Sequence, residues 1–130
     1  MPTMADITVK AANGTTDVVL KAKTPSFGDK SDAVWNIDAS STVRNHRPVF
    51  TSQTLWNGPK TARRAIARAS WPVLRTIEGV ETIVHRCEGS QNVLVPQGLT
   101  DAEVAEFVHV YGNFLVSSLI REVQKSGYNV

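Results

Sequence analysis

The strongest structural signal in this sequence is a helical pattern over residues 99–127. Thr100 followed by Glu103 is a capping box at its start, and Gly127 is a natural left-handed stop at its end. Gly112-Asn113 predicts a bend or break, which leaves one kinked helix or two short ones. One helix face is apolar at Val104, Phe107, Val108, Tyr111, Phe114, Leu115, Leu119 and Val123. A face this wide needs a large apolar surface to cover it.

The residues before this pattern alternate with the period of β-strands. Strands are predicted over residues 6–11, 17–23, 33–40, 42–54 and 82–95. Asn13-Gly14 between the first two is a strong hairpin signal, and Pro48 makes the fourth an edge or bulged strand. Residues 57–60 and 76–81 are predicted to be turns or hairpin connections.

Residues 61–73 are ambiguous from period alone. Their alanines and arginines favour a helix by intrinsic propensity. As a strand, the same segment places Arg64, Ile66 and Arg68 on one face and alanines on the other. Both interpretations remain open at this level.

The predicted fold class is α+β, an N-terminal β-hairpin and antiparallel β-sheet followed by C-terminal helix. We expect one domain over residues 1–130, with the hairpin at 6–24, the sheet at 33–95 and the helices at 100–127. A single helical segment is too narrow to cover such a sheet. An obligate dimer, whose partner helices complete the cover, is therefore expected.

The positive charge of this chain is concentrated in its middle third. Residues 44–87 hold eight Lys or Arg against two Glu, and seven of the eight are arginine. Arginine suits phosphate contacts and stacking on bases. The pattern is typical of a polyanion-binding surface, and the simpler alternative is a solvated basic face.

The sequence contains no recognisable catalytic or metal-binding constellation. His46, His85 and His109 lie in separate segments without ligand spacing, and Cys87 is a single cysteine, expected to be a small buried residue. We expect no enzyme activity, no cofactor and no metal. We also expect no signal peptide and no membrane span, hence the cytoplasm of the producing cell.

The order of these elements resembles the coat proteins of single-stranded RNA bacteriophages (levivirus-like). The points of similarity are S-F-G-x-x-x-x-A-V-W at residues 26–35, the basic strand ending in Trp71-Pro72, the T-D-A-E-V helix start and the S-G-Y ending. The resemblance implies an interlocked dimer with two C-terminal helices per subunit over the partner's sheet. It further implies a quasi-equivalent (T=3) icosahedral shell, assembled in the bacterial cytoplasm into a virion around genomic RNA. It also implies recognition of an RNA hairpin that represses replicase translation.

The resemblance settles residues 61–73 as a strand and assigns residue roles. The RNA-facing positions it implies are Arg44, His46, Arg64, Ile66, Arg68, Arg86, Glu88, Ser90 and Asn92. In the predicted strand over residues 42–54 it is open which alternate residues face the RNA, and Asn45 and Arg47 are the alternative to Arg44 and His46. The loop that meets neighbouring dimers is Arg75, Thr76, Ile77, Glu78, Gly79, Val80 and Glu81. Glu88 and Ile66 depart from the family pattern, so no particular RNA hairpin follows from better-known relatives. The alternatives are a cellular dimeric nucleic-acid-binding regulator and, less favoured, a small enzyme.

Overall fold

A computed structural model describes residues 3–129 of the chain. Six strands form one antiparallel sheet in the order β1 to β6, followed by two helices. The strands are β1 (Ile7–Lys10), β2 (Asp17–Thr24), β3 (Ala33–Asn36), β4 (Val49–Trp56), β5 (Ala62–Ile77) and β6 (Val80–Pro96). The helices are α1 (Asp101–Leu115) and α2 (Ser118–Ser126). The α+β class predicted from the sequence is confirmed.

The chain divides into two compact units, residues 3–94 and residues 95–129. The first holds almost the whole sheet, in which every strand pairs with the next one along the chain. The second holds both helices. Sequential pairing of this kind needs only short connections between neighbouring strands.

The predicted hairpin turns are confirmed, with clear local causes. In the β1–β2 turn the Asn13 side-chain oxygen accepts hydrogen bonds from the amides of Thr15 and Thr16 at 3.0 and 2.9 Å. In the β4–β5 turn the Asn57 side-chain oxygen accepts from Thr61 and Ala62 at 2.8 and 3.2 Å. These asparagines satisfy backbone donors that the turns leave unpaired. Residues 61–73 lie within β5, so the strand interpretation of that segment is correct.

The predicted strand over residues 33–40 is wrong in its second half. β3 ends at Asn36, and Asp38–Ser40 form a 3₁₀ turn. The hydroxyl of Ser40 donates to the Ile37 carbonyl at 2.9 Å. Such local bonds from Ser compete with strand pairing.

The predicted strand over residues 42–54 is wrong in its first half. Arg44–His46 form a second 3₁₀ turn, and β4 begins only at Val49, after Pro48. Ser41 Oγ accepts from the Val43 amide at 3.1 Å, and the Arg47 guanidinium donates to the Ser41 carbonyl at 2.8 Å. These bonds fix residues 41–47 in a compact conformation.

The helical region begins and ends close to the predicted positions, but the break within it lies elsewhere. The Glu103 amide donates to the Thr100 hydroxyl at 3.3 Å, and Gly127 adopts the left-handed conformation at φ 76°. The break predicted at Gly112-Asn113 lies instead at Val116–Ser117. The Val116 amide still donates to the Gly112 carbonyl, so helical bonding passes through this glycine, whose cost is only about 1 kcal/mol.

The chain buries very little apolar side chain. In the described residues the buried hydrophobic side chains are Leu20, Ile37 and Ala62, and neither helix contributes any. The accessible area is 9618 Å², against about 6,800 Å² expected for a compact monomer of 14.2 kDa. Cys87, predicted to be buried, is exposed in this single chain.

Candidate nucleic-acid interface

One face of the sheet gathers most of the polar side chains predicted to meet RNA. β4 and β5 pair antiparallel with Thr51 opposite Arg68, Gln53 opposite Ile66 and Leu55 opposite Arg64. Directly opposed residues project from the same side of a sheet. Arg64, Ile66 and Arg68 therefore share one face, as the alternation in the sequence predicted. We call it the recess face.

A shallow recess of about 420 Å³ lies on this face between β4, β5 and β6. It is lined by Val49, Thr51, Arg68, Ala69, Ser70, Glu88, Gly89 and Ser90. Arg86 reaches the same place, since its Nη1 atom donates to Ser70 Oγ at 2.9 Å. The structure thus brings together Arg68, Arg86, Glu88 and Ser90.

The remaining predicted positions lie at the margin of this recess. Arg64 and Ile66 lie on β5 before Arg68, both half-buried. Asn92 lies on β6 beyond Ser90 and is exposed. None of the three lines the recess itself.

Arg44 and His46 were predicted on the wrong kind of element. Both lie in the 3₁₀ turn before β4, as does Asn45, and Arg47 follows directly. These residues therefore do not alternate between the two faces of a sheet. The choice between Arg44 with His46 and Asn45 with Arg47 as the pair on the RNA-facing side does not apply to them. His46 Nδ1 lies 3.3 Å from Glu81 Oε1, while the Arg47 guanidinium donates to Asp38 at 3.2 Å.

Sequence reasoning missed Thr51, which lines the recess beside Arg68. The signal was present in Pro48, because proline has no amide proton to donate and is tolerated at the start of a strand. A strand beginning at Val49 places Thr51 and Gln53 on the side that Arg68 and Ile66 occupy.

The cations of the recess face are free of carboxylate partners. Among the basic side chains of residues 44–87, the two arginines with carboxylate partners are Arg47, bound to Asp38, and Arg63, bound to Asp29. Within residues 3–129, Arg64, Arg68 and Arg86 make no ion pair, and neither does Glu88. Unpaired arginines on one surface are available to an external anion.

The opposite face of the sheet carries aromatic and small side chains. Phe50 and Trp71 meet edge to face with ring centroids 6.5 Å apart. The Arg63 guanidinium lies 4.8 Å from the Trp56 ring and binds Asp29 at 2.7 and 3.2 Å. Ala65, Ala67 and Ala69 run between these aromatic groups on β5, opposite Thr54, Ser52 and Phe50. A layer packed here can approach the sheet closely.

The predicted loop over residues 75–81 is the end of a tight hairpin. β5 continues to Ile77 and β6 begins at Val80, so only Glu78 and Gly79 form the turn. Both have positive φ, at 51° and 79°, as a type I′ turn requires. Ile77 and Val80 beside the turn are large exposed apolar side chains.

The helices carry the exposed apolar stripe predicted for them. Phe107 and Tyr111 stack with ring centroids 5.8 Å apart. Phe114 and Leu119 are 52% and 57% exposed, and Val108 is also exposed. Val104, Leu115 and Val123 are partly exposed. Between residues 3 and 129 the structure contains no group of acidic, His or Cys side chains that could hold a metal, and no described helix is long and apolar enough to cross a membrane.

The fold of this chain is found in solved structures of bacteriophage coat proteins. A chain of the virus-like particle of Beihai levi-like virus 21 superposes with a TM-score of 0.84 at 18% identity, covering 99% of this chain and 98% of that one. The virus-like particle of bacteriophage ESE058 gives 0.79 at 18% identity, covering 99% of each chain. The capsid protein of bacteriophage GA gives 0.74 at 18% identity, covering 95% of each.

No protein-family profile matches the chain, and no curated protein matches it in sequence. At 18% identity the superpositions establish a shared fold. The resemblance suggested by the sequence is therefore confirmed at the level of the fold.

Proposed function

We propose that this chain is a structural coat protein that dimerises and assembles into an icosahedral shell around single-stranded RNA. The observation that carries the proposal is the superposition with the chain of a virus-like particle over 99% of this chain and 98% of that one. The proposed role of the chain is therefore to assemble the shell of a virion and to package RNA in it.

The exposed apolar area supports the dimer. Phe107, Phe114 and Leu119 of the helices and Trp71 of the sheet are large exposed apolar side chains. Exposed apolar patches mark interaction surfaces. In the proposed dimer the helices of each subunit cover the partner's sheet face that carries Phe50 and Trp71. The β5–β6 hairpin, with Ile77 and Val80 at its end, would then meet neighbouring dimers.

The recess face supports the RNA contact. Arg64, Arg68 and Arg86 would neutralise phosphates and release counterions, so the affinity falls with rising salt concentration. The recess itself is open enough to admit an unpaired base, and Thr51, Ser90 and Glu88 offer hydrogen-bonding groups to its edge. In the same proposal, this face also binds an RNA hairpin and thereby represses translation of the replicase.

Expression of the chain alone in bacteria tests the proposal. Negative-stain electron microscopy should show uniform round particles, and the ratio of absorbance at 260 and 280 nm should indicate nucleic acid. A small dimer without RNA would contradict self-assembly and favour a dimeric nucleic-acid-binding regulator.

Removal of two recess-face charges tests the RNA contact separately. The double variant Arg64→Ala/Arg68→Ala should still form dimers but package less RNA, and its salt dependence should weaken by about two phosphate contacts. The matched control is Lys10→Ala/Lys125→Ala, which removes two charges that are paired with Asp17 and Glu122 elsewhere. Equal RNA content in both variants would contradict the assigned face.

A further inference from the structure

The end of the β5–β6 hairpin extends beyond the strand beside it. The β4–β5 ladder runs from Trp56 opposite Arg63 to Val49 opposite Ser70. β5 continues seven residues further, to Ile77, before the turn into β6. This outer part of the hairpin has no β4 residue beside it, so other contacts must hold it in place.

Residues 41–46 make such a contact through one carboxylate. Ser41 Oγ donates to Glu81 Oε1 at 2.8 Å, and His46 Nδ1 lies 3.3 Å from the same oxygen. The side chains of His46 and Glu81 are only 18% and 34% exposed. His46 Nδ1 is buried and makes no hydrogen bond in the described chain, so its approach to Glu81 Oε1 is a close N···O contact. Glu81 follows the hairpin turn by two residues, so this contact lies at the outer end of the hairpin.

Several other charged side chains belong to the segments that form this contact. Arg47 donates to the Ser41 carbonyl and to Asp38, and Lys23 of β2 pairs with Asp38. On the hairpin, Arg75 and Glu78 make no ion pair in the described chain, and neither does Arg44 of the 3₁₀ turn. Lys, Arg, Asp and Glu do not ordinarily titrate between pH 5 and 8, whereas imidazole does.

We propose that the His46–Glu81 contact is a proton-controlled anchor that fixes the β5–β6 hairpin when His46 is protonated and loosens it when His46 is neutral. A protonated imidazole presents an N–H donor and a positive charge to the carboxylate, and charge-assisted bonds are stronger than neutral ones. In the neutral ring, one tautomer instead places a lone pair of Nδ1 against the carboxylate oxygen. Under the proposed function, weakly acidic conditions would hold the hairpin ready for contacts between dimers.

Glu81 sets the lower end of the pH range in which this anchor holds. The hydrogen bond from Ser41, with a smaller contribution from His46, lowers the pKa of Glu81 below its usual 4.5 despite partial burial. A lowered folded-state pKa means that the carboxylate's contribution is complete above 4.5 and is lost as the pH falls through the folded value. The charge-assisted bond also needs a protonated ring, and an imidazole ordinarily loses its proton between pH 5 and 8. The anchor is therefore tightest in the weakly acidic range.

Amide hydrogen exchange read by mass spectrometry tests the anchor on the unassembled full-length protein. After correction for intrinsic rates, peptides covering residues 75–81 should be better protected at about pH 5 than at about pH 8, by roughly severalfold, because a charge-assisted hydrogen bond is stronger than a neutral one. His46→Gln should remove this pH dependence. Ser41→Ala is the matched control, since it removes a neutral bond to the same oxygen and should lower protection while leaving the pH dependence.

A pH dependence that persists in His46→Gln, or is absent from the wild-type protein, would overturn the proposal. Should His46→Gln fail to fold, Glu81→Gln must abolish the same pH dependence, because the anion is then missing. Exchange is measured before any shell forms. A pH-dependent hairpin therefore supports the anchor even if the protein makes no particles, a result that would count against the coat function alone.

Discussion

Among individual side chains, Asp29 and Arg63 tie the β2–β3 connection to β5. The Arg63 hydrogen bonds hold the pKa of Asp29 below its usual 3.8. Because the folded-state pKa is lowered, the pair stabilises the protein fully above pH 3.8 and progressively less as the pH falls through the folded value. Asp29→Asn should therefore lower the melting temperature at neutral pH, by the small amount typical of an exposed pair, and have no effect in strong acid. Thermal unfolding followed by circular dichroism across pH measures this. Asp32→Asn, on the same connection and without an ion pair in the described chain, should have little effect at any pH. A constant Asp29→Asn effect down to strong acid would contradict the assignment.

Among the secondary structure elements, the β5–β6 hairpin has the most demanding backbone. Its turn places Glu78 in the left-handed region, where a side chain other than Asn or Gly is disfavoured. Glu78→Asn should therefore stabilise the protein by about 0.5–1 kcal/mol, while Gly79→Ala, at φ 79°, should destabilise it by about 1–2 kcal/mol. Denaturant unfolding at one fixed protein concentration measures both changes. Gly58→Ala is the control, because Gly58 has no positive φ and an added Cβ there meets nothing within 4 Å. Equal effects of the two alanine substitutions would contradict the turn geometry.

The elements also mark the limit of what the sequence predicts. Turns encoded by Asn57 or Asn13, the Thr100 cap and the long alternation of β6 were predictable, because each depends on chemistry within a few residues. The strand at residues 61–73 was not, since its period left helix and strand equally open. Alternation selected the polar face of each strand, and the resemblance to phage coat proteins placed Arg68 with Glu88 and Ser90; all three line the recess. Residues 38–47 were not predictable in this way, since their conformation depends on side-chain bonds of Ser40, Ser41 and Arg47 that a periodic pattern does not record. The positions of Arg44 and His46 were wrong for that reason, and Thr51 was missed with them.

For the whole molecule, the decisive quantity is the apolar surface that one chain leaves in water. The described residues contain three buried hydrophobic side chains, all in the first of the two units. A core of this size is too small for a stable monomer. Folding and dimerisation should therefore be one process, and the melting temperature should rise with protein concentration. A concentration-independent melting temperature, with a folded monomer at high dilution, would contradict this.

A charge placed in the apolar stripe of α1 tests the same inference at its proposed interface. Phe114→Asp should weaken the dimer by about 3 kcal/mol or more, a hundredfold or more in dissociation constant, because an unpaired carboxylate would be buried against apolar groups. Sedimentation velocity and far-ultraviolet circular dichroism should then show loss of the dimer together with loss of folded structure. Asn113→Asp introduces the same charge one position earlier, on the polar side of α1 with His109 and Glu106, and should remain a folded dimer. If Phe114→Asp also remains a folded dimer, the helix stripe is not the dimer interface, and the exposed apolar area must be covered in another way.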